Sequence, residues 1–149
     1  MSLATLRQTD EPQGTICALE RVTGIGGVFM RSKDPEALAR WYSEHLGLRA
    51  YSEEVDETWG QEEGPTVWAP FPADTDYFGR REQGWMVNFR VSDLDAMLAQ
   101  LRAAGVTVDD DVQVLDGNGR FGWASDPEGN RFELWEPAPE ALQRPSPTT

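Results

Sequence analysis

The residue types that usually carry catalysis are scarce in this chain. It has one histidine, His45, and one cysteine, Cys17. A nucleophilic serine needs a base, and a reactive thiol needs a partner that lowers its pKa. Neither arrangement surrounds any serine or Cys17. His45 lies at the C-terminal end of an apolar-striped segment, where a helix dipole favours an imidazolium, so its expected role is structural. Asp116-Gly117-Asn118-Gly119 has the composition of a hairpin turn more than of a phosphate loop. The acidic run Asp109-Asp110-Asp111 could attract a cation weakly, although a solvated strand edge accounts for it more simply. Binding groups are plentiful by contrast: arginines and carboxylates stand among six Trp and six Phe. Such a mixture can hold a planar organic molecule and pair a carboxylate or phenolate on it.

The elements that would position these groups occur twice. Gly27-Val28-Phe29-Met30-Arg31-Ser32-Lys33-Asp34 is a strand-like run that opens a helical stripe of Leu38, Trp41, Tyr42 and Leu46, closed by Gly47. Met86-Val87-Asn88-Phe89-Arg90-Val91-Ser92-Asp93 opens a second stripe of Leu94, Met97, Leu98 and Leu101, closed by Gly105. The two aspartates are 59 residues apart and the two glycines 58, so one unit is used twice. Asp34-Pro35 supplies a side-chain acceptor at the N-cap and a proline where its missing N–H costs nothing. Ser92 or Asp93 caps the second helix, and Gly47 can close the first in the left-handed conformation.

After each helix the pattern becomes short and strand-like. In the first copy the strand candidates are Arg49–Val55, Thr66–Phe71 and the stretch around Trp59. In the second they are Val106–Val108, Gln113–Leu115, Arg120–Ser125 and Arg131–Trp135. Asp116 to Gly119 and Asp126 to Asn130 have turn chemistry. Residues 1–15 are expected to form a loose arm and residues 138–149 a proline-rich, disordered tail. One domain over 16–137 remains, with module one at about 22–80 and module two at about 84–137.

A chain of 149 residues with 39% hydrophobic residues can bury a core without disulfides. The balance of 13 basic against 26 acidic side chains, a formal charge of −13, excludes nucleic acid and anionic membranes as expected partners. No apolar run approaches the roughly 20 residues of a membrane span. The lone cysteine fits a reducing compartment, and no basic-then-apolar leader is visible at the N-terminus. A cytoplasmic location is therefore expected.

Taken together, the repeat and the segment Arg120-Phe121-Gly122-Trp123-Ala124-Ser125-Asp126-Pro127-Glu128-Gly129-Asn130-Arg131-Phe132-Glu133-Leu134-Trp135-Glu136-Pro137 resemble the vicinal oxygen chelate superfamily, the glyoxalase, bleomycin-resistance and dioxygenase group. The resemblance covers nearly all of residues 22–137. It implies an α+β fold in which two βαβββ modules form an open, curved mixed β-sheet barrel with helices outside, often as a homodimer. In metal-dependent members it implies a divalent ion held by His, Glu or Gln between modules.

Carried over residue by residue, the family's first ligand position falls on Gly27 and its repeat equivalent on Met86. Neither glycine nor a thioether suits the hard divalent ions concerned. The last ligand position falls on Glu133. The remaining one lies between Trp68 and Asp76, where Asp74 and Asp76 are the anionic candidates. The ligand set is thus incomplete, and either no cofactor or a divalent metal held through Glu133 remains open.

If Gly27, Met86 and Glu133 mark the inward face, the strand period of two adds Ile25, Phe29 and Arg31, then Asn88 and Arg90, then Arg131 and Trp135. Val28, Met30, Val87, Phe89, Val91, Phe132 and Leu134 then face the helices. The candidate ligand-binding residues are Phe29, Arg31, Asn88, Arg90, Trp123, Arg131 and Trp135, with Trp59 as a pocket lid. An alternative reading of the charges is a structural ion pair between Glu133 and Arg90 or Arg31. The functions that follow are binding of a small aromatic or amphipathic molecule without a full metal site, or alternatively a metal-dependent lyase, isomerase or dioxygenase with Glu133 as one ligand. A structural dimer with no small ligand is the third reading.

Overall fold

Two aspartates start the two principal helices. Asp34 accepts from the backbone N–H of Ala37 at 3.1 Å and opens α1 (Pro35–Leu46), with Pro35 in the first turn. Asp93 accepts from Ala96 at 2.9 Å and opens α2 (Leu94–Ala103). α1 ends as its sequence predicts: Gly47 sits at φ 70, and the N–H groups of Gly47 and Leu48 return to Ser43 and Tyr42.

The computed structural model describes residues 19–51 and 58–143. The chain divides into two units, Met1–Met30 and Arg31–Thr149. Within the first, residues 19–30 contain neither helix nor strand.

The second unit is α+β. Its strands are β1 (Asn88–Arg90), β2 (Thr107–Val108), β3 (Gln113–Leu115), β4 (Gly119–Ser125) and β5 (Arg131–Pro137), followed by a short α3 (Pro139–Leu142). They form one five-stranded sheet in the order β1-β5-β4-β2, with β3 also paired to β4. β1 runs parallel to β5, and the other pairs are antiparallel. The sheet is open and does not close into a barrel.

Alternation along the strands sorts their side chains as expected. Phe132 and Leu134 of β5 and Ala124 of β4 join Leu94, Leu98 and Leu101 of α2 in the core, with Trp41 and Leu46 of α1 and Phe89 and Val91 packed around them. Both helices therefore cover the same sheet face. Burying each of these large side chains stabilises the fold by roughly 1.5–3 kcal/mol. Close approach of α2 requires Gly122: a methyl there would stand 3.2 Å from both Leu98 Cδ atoms. The outward residues of the same strands are left to build a site.

Several expectations about module one are not met. Gly27–Met30, the stretch around Trp59 and Thr66–Phe71 carry no strand. Gly24, Gly26 and Gly27 weaken any extended preference in the first of these. Pro65, Pro70 and Pro72 bracket the last, and proline donates nothing to a ladder. The candidate Arg49–Val55 lies partly outside the described residues, and the arm over 1–15 and the end of the tail lie wholly outside them. Part of that tail packs rather than trailing free: Ala141 of α3 is buried, and Ala138 donates to Asn118 at 3.0 Å, which ties the segment to the β3–β4 turn.

Candidate functional site

β5 carries Glu133 between Phe132 and Leu134, so the alternation that buries those two in the core turns Glu133 to the opposite sheet face. It is 7% exposed. Its cross-strand neighbours are Asn88 on β1 and Trp123 on β4, directly opposite on either side. Asn88 Nδ2 donates to Glu133 Oε1 at 2.5 Å, and Trp123 Nε1 donates to Oε2 at 2.9 Å. The Tyr77 hydroxyl also donates to Oε2. Three uncharged donors thus satisfy a buried carboxylate, which would be costly to bury without them.

Tyr77 reaches this position from an irregular segment. Gln83 fixes one end of that segment by imitating a strand: its side chain donates to Arg131 O at 2.7 Å and accepts from Arg131 N at 2.8 Å. Arg80 adds a bond to Asn130 Oδ1 at 3.1 Å. Phe71 and Phe78 each stack at 5.2 Å centroid distance within a ring cluster that includes Tyr77. The Tyr77 ring itself stands edge-on to Trp123 at 6.0 Å and 89°. Burial is the first cause, and the bond to Glu133 the second, of a phenol pKa pushed well above the ordinary tyrosine value.

The sequence offers Asp74 and Asp76 as the anionic candidates of this stretch and singles out no role for Tyr77. Both aspartates are exposed. The group that meets Glu133 is a neutral donor, and no local period in this stretch marks it.

Arg131 lies beside Glu133 on the same face. Its Nη1 bonds Asp109 Oδ2 at 2.6 Å, and its guanidinium lies 5.5 Å over the Trp123 ring. Its Nε is buried and has no hydrogen-bond partner among the described residues. Arg90 turns away instead, donating to the backbone oxygen of Glu62 at 2.8 Å. The alternative reading, an ion pair from Arg90 or Arg31 to Glu133, gives way to neutral hydrogen bonds; Arg31 is exposed. Trp135 donates to Asn118 O at 2.9 Å and stacks on Phe121 at 5.9 Å, further along the same face. Phe29 is 91% exposed in the first unit, and Trp59 is half exposed. The structure thus gathers Asn88, Trp123, Arg131 and Glu133, and it adds Tyr77.

A second buried carboxylate has a different task. Asp126 accepts from Tyr42 Oη at 2.8 Å, from the backbone N–H groups of Glu128 and Asn130, and from Asn130 Nδ2. It therefore ties α1 to the β4–β5 turn. Burial and Asp126 together hold the Tyr42 phenol far above its ordinary pKa. Glu128, whose pKa is lowered first by the Lys33 N–H and then by the Ser32 hydroxyl, adds bonds of 2.6 and 2.5 Å to the residues before α1. A cleft of about 390 Å³ opens there, floored by Leu38 and Trp41.

The divalent metal implied for some relatives of this sequence pattern does not fit the residues present. Both Glu133 oxygens already accept hydrogen bonds, Oε1 from Asn88 and Oε2 from Tyr77 and Trp123. Among the described residues no three of His, Cys, Asp and Glu come together as a metal-binding group. One carboxylate without companion ligands does not hold such an ion tightly.

Comparison with known proteins gives a sequence-family match over residues 27–135, to a family described as the glyoxalase-like domain. A search of curated proteins finds no match. Among solved structures, an antibiotic binding protein from Streptomyces sp. CB03234 is 28% identical, with 70% of this chain and 88% of that chain covered and a TM-score of 0.44. Methylmalonyl-CoA epimerase from Mycobacterium tuberculosis is 28% identical, covering 72% of this chain and 83% of that chain at a TM-score of 0.38. A member of the glyoxalase/bleomycin resistance protein/dioxygenase superfamily from Sphaerobacter thermophilus DSM 20745 is 22% identical, with 70% and 89% covered and a TM-score of 0.44. These superpositions are partial, and they fix neither ligand nor reaction for this chain.

Proposed function

The chain belongs to the glyoxalase-like domain family, and on that premise we propose that it binds a small aromatic or amphipathic molecule on the sheet face around Glu133, without a metal. The observation that carries this reading is the Glu133 carboxylate itself, buried on a sheet face and held by Asn88, Trp123 and Tyr77 where metal-dependent relatives would place ligands. An acceptor, a guanidinium on an indole face and a cluster of aromatic rings lie side by side. Together they offer shape, stacking and one or two directional polar contacts, which is what a small-molecule site needs. A metal-dependent reaction at Glu133 is the weaker reading, because its carboxylate already accepts from Asn88, Tyr77 and Trp123 and no companion ligands gather beside it among the described residues.

A homodimer and a cytoplasmic location belong to the same proposal. The first is supported by the position of β1 at the end of the strand order among the described residues and by the apolar Val67 and Trp68, 70% and 85% exposed. The second is supported by the single cysteine. No helix of the described residues is long and apolar enough to cross a membrane.

The binding proposal is tested by titrating the protein with a panel of planar aromatic compounds, some carrying hydroxyl or carboxylate groups and some bare. The readouts are tryptophan fluorescence and calorimetry. One bound molecule per chain, with affinity reduced at least about tenfold in Asn88→Ala, supports the site. A flat response across the panel rejects it.

A further inference from the structure

We propose that Tyr77 is a built-in stand-in for the ligand, so that the molecules this site accepts are hydroxylated aromatics whose phenolic O–H takes over the bond from Tyr77 to Glu133 Oε2. This inference rests on the binding reading above and narrows it to a chemical class.

Three observations lead to it. The other two donors to Glu133 are built into the sheet, Asn88 on β1 and Trp123 on β4, opposite Glu133 in register. They stay wherever β5 stays. Tyr77 comes from a stretch without helix or strand, joined to the sheet through the side chains of Arg80 and Gln83. Of the three donors it is the one that can leave without breaking a ladder.

The place it would leave has the form of its own side chain. The Tyr77 ring lies edge-on to Trp123 at 6.0 Å and 89° and against Phe71 at 5.2 Å, with its hydroxyl on Glu133. A slot for the hydroxyl-bearing ring of a ligand therefore ends in a carboxylate oxygen. Hydrogen bonds to a carboxylate are about twice as strong as those between neutral groups, and an ionised carboxylate oxygen, which can only accept, selects an O–H over an ether or a bare C–H. The Trp123 N–H, which shares the same oxygen, keeps Oε2 oriented when Tyr77 is absent.

The test compares 2-naphthol with 2-methoxynaphthalene, which keeps the rings and removes the donor. Binding is measured by calorimetry to the wild type, to Tyr77→Phe and to Tyr77→Leu, the last two made in parallel so that one folded variant suffices. Tyr77→Phe keeps the ring and removes its hydroxyl, so the side chain no longer holds the acceptor and leaves the slot at lower cost. The expected result is tighter binding of 2-naphthol to either variant than to the wild type, by about tenfold. This corresponds to the loss of one competing bond of roughly 1.4 kcal/mol. The methoxy compound should change by less than about threefold.

If both compounds bind and the methoxy compound matches 2-naphthol in all three proteins, the donor–acceptor inference is overturned while aromatic binding stands. Unchanged 2-naphthol affinity in both variants overturns it equally, because Tyr77 then competes for nothing. No binding of either compound to any of the proteins overturns this inference, while the panel titration above decides the binding reading separately.

Discussion

Tyr77 and Trp123 meet at right angles and share one acceptor: both donate to Oε2 of Glu133, with their rings 6.0 Å apart at 89°. One of them is fixed by a strand and the other by side-chain tethers, so a single carboxylate joins the sheet to the irregular segment before β1. The energetic consequences of that junction can be measured.

Glu133→Gln keeps the shape and exchanges one acceptor oxygen for an NH2 group. The new amide keeps Tyr77 and Trp123 on its oxygen only if Asn88 turns its Oδ1 to accept from the new NH2 group, and every bond to the former carboxylate then loses its charge. A loss of about 1–3 kcal/mol in unfolding free energy is expected from urea denaturation. An unchanged midpoint would mean that these three donors do not depend on the carboxylate.

The alkaline limb of stability should report Tyr42 and Tyr77. Burial and a carboxylate partner raise both phenol pKa values in the folded chain, while the unfolded chain ionises at about 10. Below about pH 10 both states keep the proton and the stabilising contribution is complete. Above it the unfolded chain gives up protons first, so stability falls as pH rises. Tyr77→Phe should make that fall shallower. A variant whose alkaline slope equals that of the wild type would show that Tyr77 is not held protonated by folding.

The contact between α2 and β4 can be probed as a pair. Leu98→Ala removes a buried side chain and should cost about 2–5 kcal/mol. Gly122→Ala inserts a methyl 3.2 Å from the Leu98 methyls and should cost about 1–3 kcal/mol by overpacking. In the double variant the added methyl meets the space left by Leu98, so the two losses should sum to less than their separate values. Strict additivity would place the two residues out of contact.

Protein purified without chelator should contain far less than one transition metal per chain by elemental analysis, and a chelator should leave its melting temperature unchanged. Stoichiometric zinc, manganese or iron that disappears in Glu133→Gln would overturn the metal-free reading.

How much of this could be read beforehand depends on the range of the interaction. The second module was visible strand by strand, because Gln113–Leu115 and Arg131–Trp135 carry their own alternation and Asp126 to Asn130 their own turn. Both helix caps were equally local: Asp34 and Asp93 need only the residue three positions on. Alternation also puts Asn88 and Glu133 on one face, since a period of two leaves no choice once Phe89 and Val91 on one strand and Phe132 and Leu134 on the other face the helices.

Module one was overread, because its apolar residues imply strands while Gly24, Gly26, Gly27, Pro65 and Pro70 oppose them. Local pattern cannot weigh one against the other. The repeat, the Asp-capped helices, the sheet face of Glu133 and the absence of donors at Gly27 and Met86 were all determined by sequence alone. Only the tertiary structure decided what meets that carboxylate. Tyr77 is 56 residues away from it, in a stretch with no period. A hydrogen bond between such distant residues is set by how Gln83 and Arg80 dock their segment on β5 and its turn, which leaves no trace in the spacing of either partner.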